Sequence, residues 1–394
     1  MVSPSLQRGF PWRDGNHFEL YTASEDFLAA MLEAIAAARD EVLLEMYLFE
    51  TGAVADHFIE QLCAAAQRGV TVRVLLDAFG ARNLSAHDRY RLRAGNVALT
   101  LYNPLAYHKW RHNLRRDHRK LLLVDRRIGF TGGTAISDTV LPQKSRHSGW
   151  RETMVAMHGP VLDDWAHLFA STWQRCCALP PSLPQRIAAV DGNMAGRLVT
   201  ASGAHKPEIL RSFVGRIKSA KHRVWMSTAY FIPTNRLRRS LCSAARRGIE
   251  VRLLLPGRLI DHPGVRYAGR RYFGRLLRAG VRIFEYRPQF LHSKVLLCDE
   301  WVSIGSSNLD RWNQLWNLDA NQEIDDVRFA AVVERMFRDD FEHAREISAA
   351  RWRQRPWWKR LQERIWGTVD SWLFRITGQG LAKRKKSGRQ RRPP

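Results

Sequence analysis

Apolar residues at Phe27, Leu28, Met31, Leu32 and Ile35 recur at helical spacing. An apolar run from Val42 to Phe49 follows and reads as a buried strand. A helix is expected to stop at Gln67-Arg68-Gly69, where glycine suits the position past the last turn. Val70 to Leu76 leaves at once as a strand, and Arg93-Ala94-Gly95 precedes another, Val97 to Tyr102. Strands alternating with helices predict α/β units around a largely buried sheet.

The same order of elements is written a second time. Thr200-Ala201-Ser202 matches Thr22-Ala23-Ser24, and Ile209, Leu210, Phe213 and Ile217 repeat the helical spacing. Val224 to Ile232, the stop at Arg246-Arg247-Gly248, Ile249 to Leu255, Arg278-Ala279-Gly280 and Val281 to Tyr286 follow in the same sequence. Internal repetition on this scale predicts an α/β fold of two pseudo-twofold-related halves. The expected division is residues 1–180, a Pro-bearing linker over 181–196, residues 197–347, and a distinct segment over 348–394.

Composition narrows the partners. The chain has 394 residues, more than one core usually holds, and a formal net charge of +25. Such an excess implies an anionic partner: nucleic acid, a membrane surface or phosphate-bearing substrates. Five cysteines, two of them adjacent and none in a C-x-x-C pair, read as free thiols with no zinc site. No signal peptide and no run long enough to span a membrane is expected from the pattern.

The repeat carries chemistry. His118 and Lys120 are followed by Asp125, and His292 and Lys294 by Asp299, so both copies read H-x-K-x4-D. Each runs into a turn, Gly132-Gly133 or Gly305-Ser306. Residues i and i+2 of a strand share a face, so each half offers one imidazole and one ammonium to a common pocket. That set suits a phosphodiester. Two lysines neutralise the anion without a metal, one histidine attacks phosphorus, and the other serves as general acid and base. No cofactor and no metal are expected. The nucleophilic histidine needs a partner on its far nitrogen, and Glu152 and Asp319, each downstream of a motif by a similar interval, are the candidates. Asp125 and Asp299, though part of the motif, lie at the strand end and are expected to tie the turn.

These residues resemble the phospholipase D superfamily, whose motif continues into G-G or G-S and then Asn. The second copy fits in full, with His292, Lys294, Asp299, Gly305, Ser306 and Asn308. Tyr230-Phe231-Ile232-Pro233, Phe284-Glu285-Tyr286-Arg287 and Asn317-Leu318-Asp319-Ala320-Asn321 are similar to bacterial cardiolipin synthases, most of all the B type. The resemblance implies one active site between two α/β halves. It also implies phosphatidyl transfer from phosphatidylglycerol to a second lipid alcohol, phosphatidylethanolamine being one alternative lipid. His118 would then be the nucleophile and His292 the general acid and base. Two departures stand out. Ala135 replaces the Asn of the first copy, and Asp319 replaces a common Glu, a shorter side chain expected to change how His292 is held.

From Trp352 the composition changes again. Trp352, Trp357, Trp358, Leu361, Ile365, Trp366, Val369, Trp372, Leu373 and Ile376 recur near helical spacing beside arginines, and Lys383 to Arg392 holds seven Lys or Arg. This predicts an interfacial helix and a basic tail on the cytoplasmic face of a bacterial membrane. The basic stretch Tyr107 to Arg116 is a candidate guide for anionic headgroups. Rival readings are a hydrolase of the same bond, a nuclease of the superfamily and a weakly active membrane scaffold. Nucleic acid is set aside, because the tryptophans cluster away from the motif rather than along a groove.

Overall fold

The computed structural model describes residues 9–142, 149–177, 192–202, 207–358, 361–363 and 365–368. The tail from 369 onward lies outside the described residues, and with it Val369, Trp372, Leu373, Ile376 and the basic run.

The first half contributes β1 (Arg13–Tyr21), β2 (Glu41–Met46), β3 (Thr71–Asp77), β4 (Ala98–Tyr102), β5 (Lys120–Val124), β6 (Ile128–Gly132), β7 (Trp150–Arg151) and β8 (Met154–His158). The second contributes β9 (Met194–Ser202), β10 (Arg223–Ser227), β11 (Phe231–Ile232), β12 (Glu250–Pro256), β13 (Arg282–Tyr286) and β14 (Phe290–Leu291). It continues with β15 (Val295–Cys298), β16 (Trp301–Gly305), β17 (Leu309–Asp310), β18 (Leu318–Asp325) and β19 (Ala344–Glu346). Met194 to Gly196, expected as the end of a linker, is therefore already strand.

Fifteen of these strands form one sheet, ordered β19-β13-β12-β10-β15-β16-β18-β9-β1-β8-β6-β5-β2-β3-β4. Apart from the extra β19, the order reads the same from either end, with the antiparallel pair β9 and β1 at the centre. β2, β3 and β4 run parallel, as do β10, β12 and β13. The carboxyl ends of all six strands thus define one rim in each half.

Side-chain alternation builds the layers. Leu43, Leu75, Leu121 and Leu123 face a core shared by both halves and covered by the helices Val161–Cys176 and Val327–Glu342. Val42, Leu44, Val74, Leu122 and Val124 face the opposite side, under helices of the first half, and the second half has its own equivalent cluster. The helix stops behave as expected at Gly69, Gly248 and Gly280, all at positive φ. Gly95 differs: its φ is −80°, and Asn96 takes the left-handed position instead. Glycine is still required at 95, since a Cβ there would sit 2.4 Å from Cys63 Sγ.

Candidate active site

Asp125 and Asp299 are separated from the other motif residues. β5 carries Lys120 at one end, and Asp125 follows at the other, about 16 Å away at the usual rise per residue. Asp125 accepts hydrogen bonds from the backbone N–H groups of Arg39, Asp40 and Glu41, at 2.8 Å each. Asp299 does the same for Lys221, His222 and Arg223. Both residues have positive φ, which Asp tolerates better than most. Sharing the motif therefore does not make them catalytic residues: as expected from their place at the strand end, they fasten the β5–β6 and β15–β16 turns to the start of β2 and β10.

The histidines sit just before their strands rather than on them, held by contacts that cross between the halves. Asp117 bridges Leu318 in parallel, and His118 N–H donates to Leu318 C=O at 2.9 Å. In the other half β14 pairs in parallel with β7, and His292 N–H donates to Arg151 C=O at 2.9 Å. In each case the next residue on the facing segment is an acid. His118 Nδ1 lies 3.0 Å from Asp319 Oδ1, and His292 Nδ1 lies 2.5 Å from Glu152 Oε2. The acids are exchanged between halves. Asp319 holds His118, so the expectation that it bears on His292 is corrected by this register. With Nδ1 engaged, Nε2 is the nitrogen that faces a substrate; that of His292 lies 3.0 Å from Lys294 Nζ, while that of His118 has no such neighbour among the described residues.

The acids have unequal support. Ser306 Oγ donates to Asp319 Oδ1 at 2.8 Å. At the matching position stands Gly133, where a Cβ would lie 2.5 Å from both carboxylate oxygens of Glu152. The shorter acid is thus paired with a serine and the longer one with a glycine. Asn308 is fully buried, and neither Nδ2 nor Oδ1 finds a hydrogen-bond partner among the described residues. An unsatisfied buried amide costs about 1–3 kcal/mol, which a bound acceptor would relieve. Its counterpart Ala135 packs into the first-half core.

Burial dominates the electrostatics. It lowers His118 to about 4, with Lys120 adding to the effect and Asp319 opposing it. Burial also lowers His292, with both lysines acting the same way. Lys120 falls to about 7 through burial and then the charge of Lys294, and Lys294 falls to about 8 through burial. Glu152 is raised to about 7 by burial, with Lys294 opposing. The site is a buried, cation-rich cluster in which an added anion would be favoured. Lys120 Nζ donates to His118 C=O at 2.6 Å, and Lys294 Nζ to His292 C=O.

Aromatic walls were only partly legible from the sequence. Trp150 lies 4.4 Å from His292 between ring centroids, Tyr47 lies 4.9 Å from His118, and Tyr230 lies 6.4 Å from His292. Tyr230 falls in a segment that carries the family resemblance, and Trp150 stands two residues before Glu152. Tyr47 gives no repeat signal, because β-strand register matches it to Ala229. The basic stretch before His118 is also not a uniform guide: Arg116 is buried against Asp77, and Lys109 Nζ is tied to Pro104 C=O.

Among the described residues no His, Cys, Asp and Glu group has a metal-binding arrangement. The family model "Cardiolipin synthase, PLD-like domain" matches the chain twice, over residues 31–173 and 213–341. Cardiolipin synthase A of Yersinia pseudotuberculosis serotype O:1b (strain IP 31758) is 31% identical over 363 residues, covering 89% of this chain and 74% of that protein. Cardiolipin synthase A of Pseudomonas putida strain F1 is 36% identical over 352 residues, covering 88% and 72%. The fold is also that of a phosphatidylserine synthase from Haemophilus influenzae Rd KW20, with a TM-score of 0.67 at 12% identity over 93% of this chain and 94% of that one. The polyphosphate kinase of Porphyromonas gingivalis gives 0.57 at 16% identity, over 85% of this chain and 49% of that one. Two matched copies meeting at one two-histidine chamber, with relatives above 30% identity along most of the length, place the chain in the PLD-like cardiolipin synthase family of enzymes.

Proposed function

We propose that the chain is a phosphatidyltransferase that makes cardiolipin or a related diphosphatidyl lipid from phosphatidylglycerol. The observation that carries this reading is the buried pair of imidazoles, each with a carboxylate on Nδ1 and a lysine at its side. Lys120, Lys294 and Asn308 would receive the phosphoryl oxygens. His118 Nε2 attacks phosphorus, the P–O bond to the glycerol headgroup breaks, and His292 gives its proton to the leaving alkoxide. A hydroxyl of a second lipid then loses its proton to His292 and attacks phosphorus, and the P–N bond breaks.

The two dyads support this division of labour. Burial holds His118 neutral above about pH 4, as a nucleophile must be. Glu152, raised to about 7, lets the Glu152–His292 pair keep a proton near neutrality. The free-protein profile of kcat/KM should therefore rise through about pH 4 as His118 loses its proton. It should fall between about 7 and 8 as Glu152 loses its proton and the two lysines lose their charge. A bound phosphodiester raises the lysine values, so kcat should fall at higher pH than kcat/KM. A kcat/KM still climbing at pH 9 would contradict the assignment.

Products decide between transferase and hydrolase. Purified protein on phosphatidylglycerol vesicles should yield cardiolipin and free glycerol by mass spectrometry. Phosphatidic acid alone would make it a phospholipase D. Adding phosphatidylethanolamine reads the acceptor choice. The B-type assignment stays part of this proposal and rests on the segments quoted from the sequence, since the relatives above carry the A name. So does a peripheral position on the cytoplasmic face of the membrane, which the net charge supports. Among the described residues no helix is long and apolar enough to cross a membrane.

A further inference from the structure

The rim formed by the carboxyl ends of the parallel strands carries two features that the chemistry above does not use. In the first half, the segment after β4 exposes Tyr107 completely and Trp110 to 79%, with Leu105 and Leu114 also exposed. Phe79, just past β3, is exposed on the same rim. The segment is braced from within. Asn103 Nδ2 donates to His112 C=O at 2.7 Å and Arg115 C=O at 2.9 Å, and Asn113 Nδ2 donates to Ala106 C=O at 2.8 Å. Polar groups are spent on holding the loop while its large apolar side chains face outward, the reverse of an ordinary surface loop.

In the second half, an open cleft of about 1070 Å³ begins at Arg258, after β12, and Arg287, after β13. Seven arginines and three glutamates line it, so its charge is strongly positive. Arg266 and Arg270 are answered by Glu285, and Arg355 by Glu363. Arg258, Arg287, Arg345 and Arg351 have no side-chain partner among the described residues. Trp358 lines the same cleft and is half exposed.

Both features follow the same strand ends as the aromatic neighbours of the two histidines. β2 leads into Tyr47, which packs on His118, and Tyr230, just beyond β10, packs near His292. Asp261, on the loop that leaves the cleft wall, accepts a 2.5 Å hydrogen bond from Tyr230. We propose that this rim is a docking face for an anionic bilayer: Tyr107 and Trp110 enter the headgroup layer, and the arginine cleft takes phosphate headgroups distinct from the one undergoing reaction. Exposed aromatics beside unpaired arginines match the apolar boundary and negative surface of such a bilayer. Nucleic acid offers no apolar layer for Leu105, Tyr107 and Trp110. The inference rests on the proposed lipid chemistry only for its choice of occupant.

The test uses the full chain carrying His118→Ala, so that no lipid is consumed. Co-sedimentation with phosphatidylcholine vesicles, with and without phosphatidylglycerol, reads the affinity. Arg258→Ala/Arg287→Ala should weaken binding to the anionic vesicles by about ten- to thirtyfold. Tyr107→Ala/Trp110→Ala should weaken binding to both kinds of vesicle severalfold. Arg93→Ala/Arg127→Ala removes the same charge from exposed positions at the opposite rim, before β4 and after β5, and should change either affinity less than twofold. Equal losses at both rims would overturn the proposal by showing attraction to bulk charge alone. Unchanged affinity in both rim variants would overturn it too, as would a loss confined to single-stranded oligonucleotide binding. Circular dichroism melts of each variant separate these outcomes from misfolding. Because no turnover is read, a failed cardiolipin assay and a failed docking assay remain distinct results.

Discussion

His118→Ala should reduce formation of diphosphatidyl lipid by about 10⁴-fold or more, the scale on which removing a nucleophile acts when the residues of a site work as a unit. The buried imidazole has no neighbour of the same kind to replace it: His292 is held by a different carboxylate and points into the chamber from the other half. A phosphatidylglycerol labelled in its phosphorus should leave acid-labile, base-stable label on the wild-type chain after rapid quenching, and none on the His118→Ala variant. His292→Ala provides the complementary result. Without a proton donor, natural phosphatidylglycerol should react very slowly, while a substrate with a nitrophenolate leaving group, needing no proton, should still label the chain. Release of the phosphatidyl group from His118 would then stall, because no base activates the acceptor, and label should accumulate. If His292→Ala loses labelling with the activated substrate while His118→Ala keeps it, the roles of the two histidines are reversed.

Gly133→Ser should cost about a hundredfold in kcat, through Glu152 rather than through any contact with substrate. The added Cβ would meet both Glu152 oxygens at 2.5 Å, and the carboxylate is also held from behind by a 2.8 Å hydrogen bond from Thr153 N–H, which a retreat would have to break. Its 2.5 Å link to His292 Nδ1 would break, leaving the ring free to turn. The other half shows the cure. Asp319 is one methylene shorter, and Ser306 fills the space and donates to it. Combining Gly133→Ser with Glu152→Asp should therefore recover most of the lost kcat, and the basic limb of the pH profile should move down as the new hydroxyl stabilises the carboxylate. A merely structural disturbance at 133 would not be relieved by shortening Glu152. A double variant as slow as the product of the two single losses would show that the two positions are not coupled.

The two halves were readable because helix stops and strand starts recur in order, and the turn-tying role of Asp125 and Asp299 followed from their place past the strand. The pairing of acids with histidines was not readable. Glu152 and Asp319 each follow a motif at a similar interval, which suggests that each serves its own half. The structure joins residues 201 and 140 positions apart instead. What decides this is the register of the parallel pairs Asp117 with Leu318 and Leu291 with Arg151, and no local pattern encodes those pairs. Tyr47 was missed for a related reason: the repeat supplies alanine at its counterpart. The strand β19 lies outside the repeat altogether and pairs with β13 at the sheet edge. The coupling of Gly133 to Glu152 was visible only as two departures from symmetry, and their connection needed distances.

The exchanged carboxylates make the two halves mutually dependent. Each contributes a reactive imidazole together with the acid that its neighbour's imidazole requires, so neither contains a finished dyad by itself. A lesion that unfolds either half disarms both histidines at once, and the chain offers one indivisible reaction centre rather than two half-strength ones. Fusing the halves into a single polypeptide fixes their ratio at one to one and guarantees that every folded molecule carries a complete set.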